Sequence, residues 1–341
     1  MKSLVIRTDA GPSIGTGHLM RCLALAESWY NEGGKVCFVL NSALPVVLQK
    51  IQSQNMEVVE ISDSSGTHED ALNLISIADK KAADWIVIDG YQFGSDYQKM
   101  IKEAGHSLLF IDDYGHSTHY FADIVLNQNI YADISLYPYH ESYTKFLLGS
   151  KYVLLRRQFL LYKNRTRHIP PLAKKILITL GGGDSGNLTL NVIEAIKNTG
   201  CQGLEVIVVV GCVNPHLKAL QKITAETTGF SLIQDADNMP DLMAWADMAI
   251  SAGGSTCWEL VFMGVPFLSI ILSDNQSPIV QKLHAIGATI SLGGYNELSQ
   301  RILIQSIKNL IESQDNRSLL QKNQRKLIDG NGCSDVIRML T

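Results

Sequence analysis

Apolar residues in this chain gather in short continuous runs, separated by stretches in which they recur every three or four positions. Runs near residues 3–7, 35–40, 57–61, 84–89, 107–112 and 123–126 alternate with helical periods, the pattern of a parallel sheet covered by helices on both faces. The polar segment 156–174, which holds Pro170-Pro171, reads as a linker. A second series begins at Lys175-Ile-Leu-Ile-Thr-Leu180 and continues near 204–210, 230–233, 247–250 and 266–271. The expected organisation is a domain over 1–165, a second over 172–325, and a C-terminal helix over 326–341 that packs back on the first. Open parallel sheets bind ligands beyond the carboxyl ends of their strands, so two such sheets facing each other predict a site in an interdomain cleft.

Composition narrows the class. With 341 residues, 46% apolar and 18% charged, the chain can build two cores and reads as a soluble globular protein. An apolar strand within the first few residues and the lack of any run of about eighteen apolar residues predict neither a signal peptide nor a membrane span, hence a cytoplasmic protein. The six cysteines, at 22, 37, 201, 212, 257 and 333, form no C-x-x-C pair, which argues against a zinc ribbon, a redox motif or a disulfide scaffold. A net charge of -4 without a basic run leaves no electrostatic footprint for nucleic acid. Any phosphate must then be met by backbone amides and a few local cations.

The first candidate chemistry lies in Ile6-Arg-Thr-Asp-Ala-Gly-Pro-Ser-Ile-Gly-Thr-Gly-His18-Leu-Met-Arg21, where a strand passes through three glycines into a helix. Gly11, Gly15 and Gly17 allow a tight turn and clear space around His18. A histidine at the positive end of a helix is favoured in its neutral form, able to take a proton from water. Arg21 lies one turn later on the same helical face. Gly15-Thr-Gly17-His-Leu-Met lacks the third glycine of a dinucleotide fingerprint, the strand to Leu40 ends in Asn41 instead of an acid, and there is no Walker A lysine. No nicotinamide, flavin or other cofactor is expected.

In the second half, Ile250-Ser-Ala-Gly-Gly-Ser-Thr-Cys-Trp-Glu259 places a Gly-Gly turn and hydroxyls ahead of a helix. Amides of residues 253–256, with Ser251, Gly253, Gly254, Ser255 and Thr256 lining the loop, could hold a diphosphate, and Glu259 could accept from a ribose diol. Leu180-Gly181-Gly182-Gly-Asp-Ser-Gly is the matching loop of the first strand. Met239 sits in Asn238-Met-Pro, a loop expected near a nucleobase. Asn275 and Gln276 are amides suited to sugar hydroxyls or acetamido groups. Asp235-Ala-Asp237 and Asp112-Asp113 with His116 and His119 suggest a metal, but nothing fixes a ligand geometry, so no metal is expected; Asp112 and Asp113, closing a strand that faces the cleft, are expected to contact substrate instead.

Together Gly15-x-Gly17-His18-x-x-Arg21-Cys-Leu, Ile111-Asp-Asp113, Ala122-Asp-x-Val-Leu-Asn127-Gln128, Leu148-Gly-x-x-Tyr152-x-Leu-Leu-Arg156, Leu180-Gly-Gly, Asn238-Met-Pro, Ile250-Ser-Ala-Gly-Gly-Ser-Thr-x-Trp-Glu259 and Asn275-Gln276 resemble the PseG/SpsG group. These are hydrolases of UDP-2,4-diacetamido-2,4,6-trideoxy-β-L-altropyranose in pseudaminic acid biosynthesis. The resemblance implies a GT-B arrangement of two Rossmann-like domains, related to the MurG type of glycosyltransferase, with UDP held mainly by the second. It implies His18 as general base, and Tyr91 and Asn275 in contact with the sugar or the attacking water. Where the group often has Asp-His-Tyr, this chain has Asp89-Gly90-Tyr91.

The expected reaction is direct displacement. Water deprotonated by His18 attacks the anomeric carbon with inversion while UDP leaves toward the Ser251–Thr256 loop, and no acid donor is needed because the diphosphate already leaves well. Gly15, Gly17, Arg21, Tyr91, Asn275 and Gln276 are expected to bind the sugar portion, and Gly181, Gly182, Met239, the 251–256 loop and Glu259 the UDP portion. The expected partners are the UDP-sugar and, transiently, other enzymes of the pathway. The alternatives are a UDP-sugar-dependent glycosyltransferase and a non-catalytic UDP-sugar-binding protein.

Overall fold

The computed structural model describes residues 2–11, 15–41, 45–181, 184, 186–211 and 214–341. The chain forms two compact units: one runs up to Arg157 and is completed by Gly330–Thr341, and the other spans Gln158–Asp329.

Among the described residues the first unit holds seven strands: β1 (Ser3–Thr8), β2 (Lys35–Asn41), β3 (Glu57–Ile61), β4 (Trp85–Asp89), β5 (Leu108–Ile111), β6 (Ile124–Asn127) and β7 (Lys145–Leu148). All pair in parallel in the order β3-β2-β1-β4-β5-β6-β7. Parallel strands need crossovers, and helices cover both faces, so the central strands carry unbroken apolar runs, Leu4–Ile6 in β1 and Ile86–Ile88 in β4, before their polar carboxyl ends. Leu4, Ile6, Val87 and Leu109 pack on one face with helix Gly17–Asn31, while Val5, Ile86, Ile88 and Phe110 pack on the other with Leu74 and Tyr97.

Helix Gly332–Leu340 belongs to this unit, where Cys333, Val336, Ile337 and Leu340 join the core beside helix Gly17–Asn31. Trp85 Nε1 donates to the Leu340 carbonyl at 2.8 Å. Gly332 lies so close to the chain at Val153 that a Cβ would sit 2.2 Å from its carbonyl oxygen.

The second unit repeats the plan with β8 (Lys175–Thr179), β9 (Glu205–Val210), β10 (Phe230–Gln234), β11 (Met248–Ala252), β12 (Phe267–Ile271) and β13 (Ile290–Gly294), in the parallel order β10-β9-β8-β11-β12-β13. The α/β reading and its strand series are borne out. β7 and β13 have no counterpart among the expected runs. Both are edge strands, β13 half-exposed throughout and ending in Gly-Gly, and an edge strand needs neither a long nor a two-faced apolar run.

In each sheet the order reverses once, between β1 and β4 and between β8 and β11. Loops leaving such a pair diverge and open a crevice at the carboxyl ends. The candidate site residues at 15–21 and 91 follow the first pair. Those at 181–182 and 251–259 follow the second.

Candidate active site

In the first unit, parallel register sets Thr8 beside Asp89 and Asp89 beside Ile111. The loop after β1 closes on itself through paired main-chain bonds, Gly11 N to Gly15 O at 3.2 Å and Gly15 N to Gly11 O at 2.7 Å. Gly17 then starts the helix, and His18 follows in its first turn, 8% exposed.

His18 Nδ1 lies 2.7 Å from Asp89 Oδ1. An ionised carboxylate only accepts, so the proton sits on Nδ1 and Nε2 carries the basic lone pair. Arg21 Nη2 is 3.1 Å from the same Nδ1. With Nδ1 protonated that contact is no hydrogen bond; the two donors converge on one oxygen. Arg21 grips Asp89 with Nε to Oδ2 and Nη2 to Oδ1, both 2.6 Å, and Asp113 with Nη1 to Oδ1 at 2.6 Å and Nη2 to Oδ2 at 3.2 Å.

Burial by itself would raise the pKa of both carboxyls, but the charges and hydrogen bonds of Arg21 and His18 together outweigh it and hold Asp89 well below the usual carboxylate range. Asp113 is lowered in the same way. Burial likewise disfavours the Arg21 cation, and the two carboxylates overcome it. All three groups are thus charged, and Asp89 is positioned to stabilise an imidazolium as it forms.

Two expectations change here. Arg21, expected on the substrate, is buried with its guanidinium spent on two carboxylates, so its work is to hold Asp89 and Asp113. Asp113, expected to reach a ligand, accepts instead from Arg21, from the Tyr91 hydroxyl at 2.8 Å and from Asn129 Nδ2 at 2.9 Å. Tyr91 is thereby fixed with its ring edge-on to His18, centroids 4.8 Å apart. Gly90, where the group often has His, takes φ +155°, and a Cβ there would lie 2.7 Å from Gln92 Oε1 and 2.9 Å from the Phe93 ring. The turn between Asp89 and Tyr91 is therefore built for glycine.

In the second unit Gly181 is exposed, while Gly182 lies outside the described residues. The helix after that loop, Leu188–Lys197, already has an anion: buried Asp184 accepts from Leu188 N at 2.8 Å and Thr189 N at 2.9 Å. Helix Thr256–Met263 has no side-chain cap. The amides of Cys257 and Trp258 are taken by the Gly254 and Ser255 carbonyls, both at 3.0 Å, so the amides left to meet an anion are those ahead of them, where Ser255 is exposed and Thr256 half-buried. Of the two loops at this switch point, the one after β11 is the better anion cradle. Glu259 follows one turn later, half-buried.

Three residues sit differently from expectation. Ser251 is fully buried and its hydroxyl donates to the Ala252 carbonyl at 3.1 Å, so it lines no open loop. The Gly253 amide is engaged by the Ile270 carbonyl at 3.0 Å and Gln276 Oε1 at 3.2 Å, which narrows the cradle to residues 254–256. Gln276 Oε1 also accepts from Leu272 N at 3.0 Å, so its carbonyl fastens this turn and does not orient a sugar. A Cβ on Gly253 would lie 2.4 Å from Val280 Cγ2 and 3.0 Å from Gln276 Cβ, which is why the turn opens with glycine.

Asn275 is exposed in the short turn Asp274–Gln276 and accepts from Ser273 Oγ at 2.6 Å. Met239 begins helix Met239–Trp245 with its side chain buried, leaving main chain for any ligand. Among the described residues no three His, Cys, Asp or Glu side chains gather to hold a metal ion, and no helix is long and apolar enough to cross a membrane.

The group that sequence reading missed is Asp89, the partner of His18. Its signal was present, an acid closing an apolar strand, but only the β1-β4 adjacency gives it meaning.

Residues 176–335 match the model of the glycosyltransferase family 28 C-terminal domain. The chain is 28% identical to the spore coat polysaccharide biosynthesis protein SpsG of Bacillus subtilis, across 98% of this chain and 96% of the relative. It is 29% identical to the UDP-2,4-diacetamido-2,4,6-trideoxy-beta-L-altropyranose hydrolase of Campylobacter jejuni, across 80% of this chain and 93% of that protein. An uncharacterized Methanocaldococcus jannaschii protein is 28% identical across 80% of this chain, which spans 56% of that protein's length. Acinetobacter baumannii MurG superposes with a TM-score of 0.65 at 17% identity, covering 100% of this chain and 99% of its own. The resemblance read from the motifs is thus shown: the chain is a homologue of SpsG and of the hydrolase over most of its length, with the two-domain α/β fold of the GT-B glycosyltransferases.

Proposed function

We propose that this protein hydrolyses a UDP-linked 2,4-diacetamido-2,4,6-trideoxyhexose to UDP and free sugar, in the cytoplasm, as a step of pseudaminic acid biosynthesis. The observation that carries this reading is the His18–Asp89 pair, which commits Nδ1 to the carboxylate and leaves Nε2 as a base in the first unit's switch-point crevice. The likeness to the Campylobacter jejuni hydrolase supports the substrate class.

Nε2 takes a proton from water as the water oxygen bonds to the anomeric carbon. The bond from that carbon to the β-phosphate oxygen breaks, its electron pair leaves with UDP, and the sugar is released inverted. Asp89 stabilises the imidazolium, and amides 254–256 with the helix dipole of Thr256–Met263 receive the charge developing on the diphosphate. Gly15 and Gly17 keep the approach to His18 open, Tyr91 and Asn275 contact the sugar or the water, and Gly181 and the main chain at Met239 border the nucleotide.

The test is incubation with UDP-2,4-diacetamido-2,4,6-trideoxy-β-L-altrose and EDTA without any acceptor, followed by proton NMR. Equal release of UDP and free sugar, the first anomer formed being opposite to that of the donor, is expected. No release while UDP binds would instead favour a glycosyltransferase, the reading that the family 28 match would then support.

Glu259 is assigned to the ribose diol. Replacing it with alanine should weaken UDP binding by about tenfold, the worth of a charged hydrogen bond, with kcat at saturation little changed. Unaltered affinity by calorimetry would remove it from the site.

A further inference from the structure

The turn after β5 is held far more firmly than a surface turn needs. The buried Asp112 carboxylate accepts from the amides of Asp113, Tyr114 and Gly115 at 2.6, 3.2 and 3.0 Å, from the Tyr120 hydroxyl at 2.6 Å and from His116 Nδ1 at 3.0 Å. The Asp113 carbonyl accepts from Asn127 Nδ2 at 2.7 Å and the Tyr131 hydroxyl at 2.9 Å. Gly115 adopts φ +75°, and a Cβ there would lie 2.4 Å from the Leu136 carbonyl oxygen.

What this turn presents is Tyr114, 43% exposed. Its ring lies 5.2 Å from that of Tyr91 and 5.5 Å from that of His116, and Tyr91 in turn abuts His18. An aromatic surface therefore starts at the candidate base and continues outward through Tyr91, 36% exposed, to Tyr114. Ordering a large exposed ring costs side-chain entropy and adds little to a core, whereas a fixed aromatic face suits the apolar edge of a ligand.

We propose that Tyr114 is a specificity-determining residue whose ring takes a methyl-bearing edge of the sugar, the C6 methyl or an acetyl methyl, over the hydroxyl-rich edge of an ordinary hexosamine. The inference rests on the reading of the substrate as a UDP-linked diacetamido-trideoxyhexose. The competing explanation is that the turn is held only for Asp113 and its grip on Arg21, in which case the identity of the next side chain is immaterial to the ligand.

Binding separates these without relying on turnover. In full-length protein carrying His18→Asn, so that sugar nucleotides stay intact, calorimetry would compare UDP, UDP-N-acetylglucosamine and UDP-2,4-diacetamido-2,4,6-trideoxy-β-L-altrose on Tyr114, Tyr114→Phe and Tyr114→Ala chains. Tyr114→Ala should weaken the trideoxy compound by about tenfold, the upper range for an aromatic contact, leave UDP within about twofold, and lose most of the preference over UDP-N-acetylglucosamine. Tyr114→Phe should restore it. An unchanged ratio between the two sugar nucleotides, an equal loss for UDP, or a parent chain that binds UDP but not the trideoxy compound overturns the assignment of Tyr114. Failure of the parent chain to bind UDP at all sinks the functional reading itself, a result distinct from these.

Discussion

Alanine at position 18 should lower kcat by about 100-fold or more while UDP affinity stays near that of the parent, because a general base acts on the water and not on the nucleotide. The geometry adds a sharper companion. Asp89→Asn can offer His18 Nδ1 an amide N–H where the carboxylate offered only lone pairs, which favours the tautomer with its proton on Nε2. The base would then be present and facing the wrong way, so kcat should fall by about 100-fold or more even though the imidazole remains, as in triads that lose their orienting carboxylate. Steady-state kinetics with the sugar nucleotide, paired with calorimetry on UDP, reads both. Near-parental turnover in either variant, or equal loss of turnover and UDP affinity, would reject the assigned roles.

Arg21→Met should be among the most destabilising single changes in the first unit. It removes the cation shared by Asp89 and Asp113 and leaves two carboxylates beside each other in a buried setting, a change that costs about 3–5 kcal/mol when a buried pair is broken this way. The effect has a pH signature. Both carboxyls are held below their ordinary value of 3.8 by the folded state, so the stability they contribute is complete above about pH 4 and fades as pH falls toward their folded values. Without Arg21 burial dominates, the carboxyls are raised, and protonation relieves the variant. The gap in thermal midpoint between parent and variant should therefore be widest near pH 7 and narrow as pH falls, first as the variant's raised carboxyls take up protons and further below about pH 4 as the parent loses its own contribution. A gap that is small at neutral pH, or that does not close in acid, would show that the three groups do not act as one unit.

Much of the fold could be read from the chain because parallel strands buried on both faces leave unbroken apolar runs, as at Leu4–Ile6, Ile86–Ile88 and Ile176–Ile178. What failed to register was whatever depends on neighbours. β7 and β13 are short edges that the sheet, not their own composition, makes into strands. The glycine-histidine turn announced a reactive centre locally, but its carboxylate partner lies 71 residues away and becomes visible only once β1 and β4 are side by side. Arg21, Gln276 and Ser251 teach the same lesson in reverse. Their residue types suit a ligand equally well, and only the hydrogen-bond partners show that the protein itself uses them.

Helix Gly332–Leu340 gives this chain an unusual order of assembly. During synthesis the seven strands of the first sheet emerge early, yet the layer beside helix Gly17–Asn31 stays open until residues 332–340 leave the ribosome, after all of 158–329. The segment made in between is contiguous and can close its core first. A chain released after residue 329 should thus carry a finished second unit and a first unit with an exposed apolar seam, which makes chaperone dependence a property of the N-terminal half even though that half is translated first.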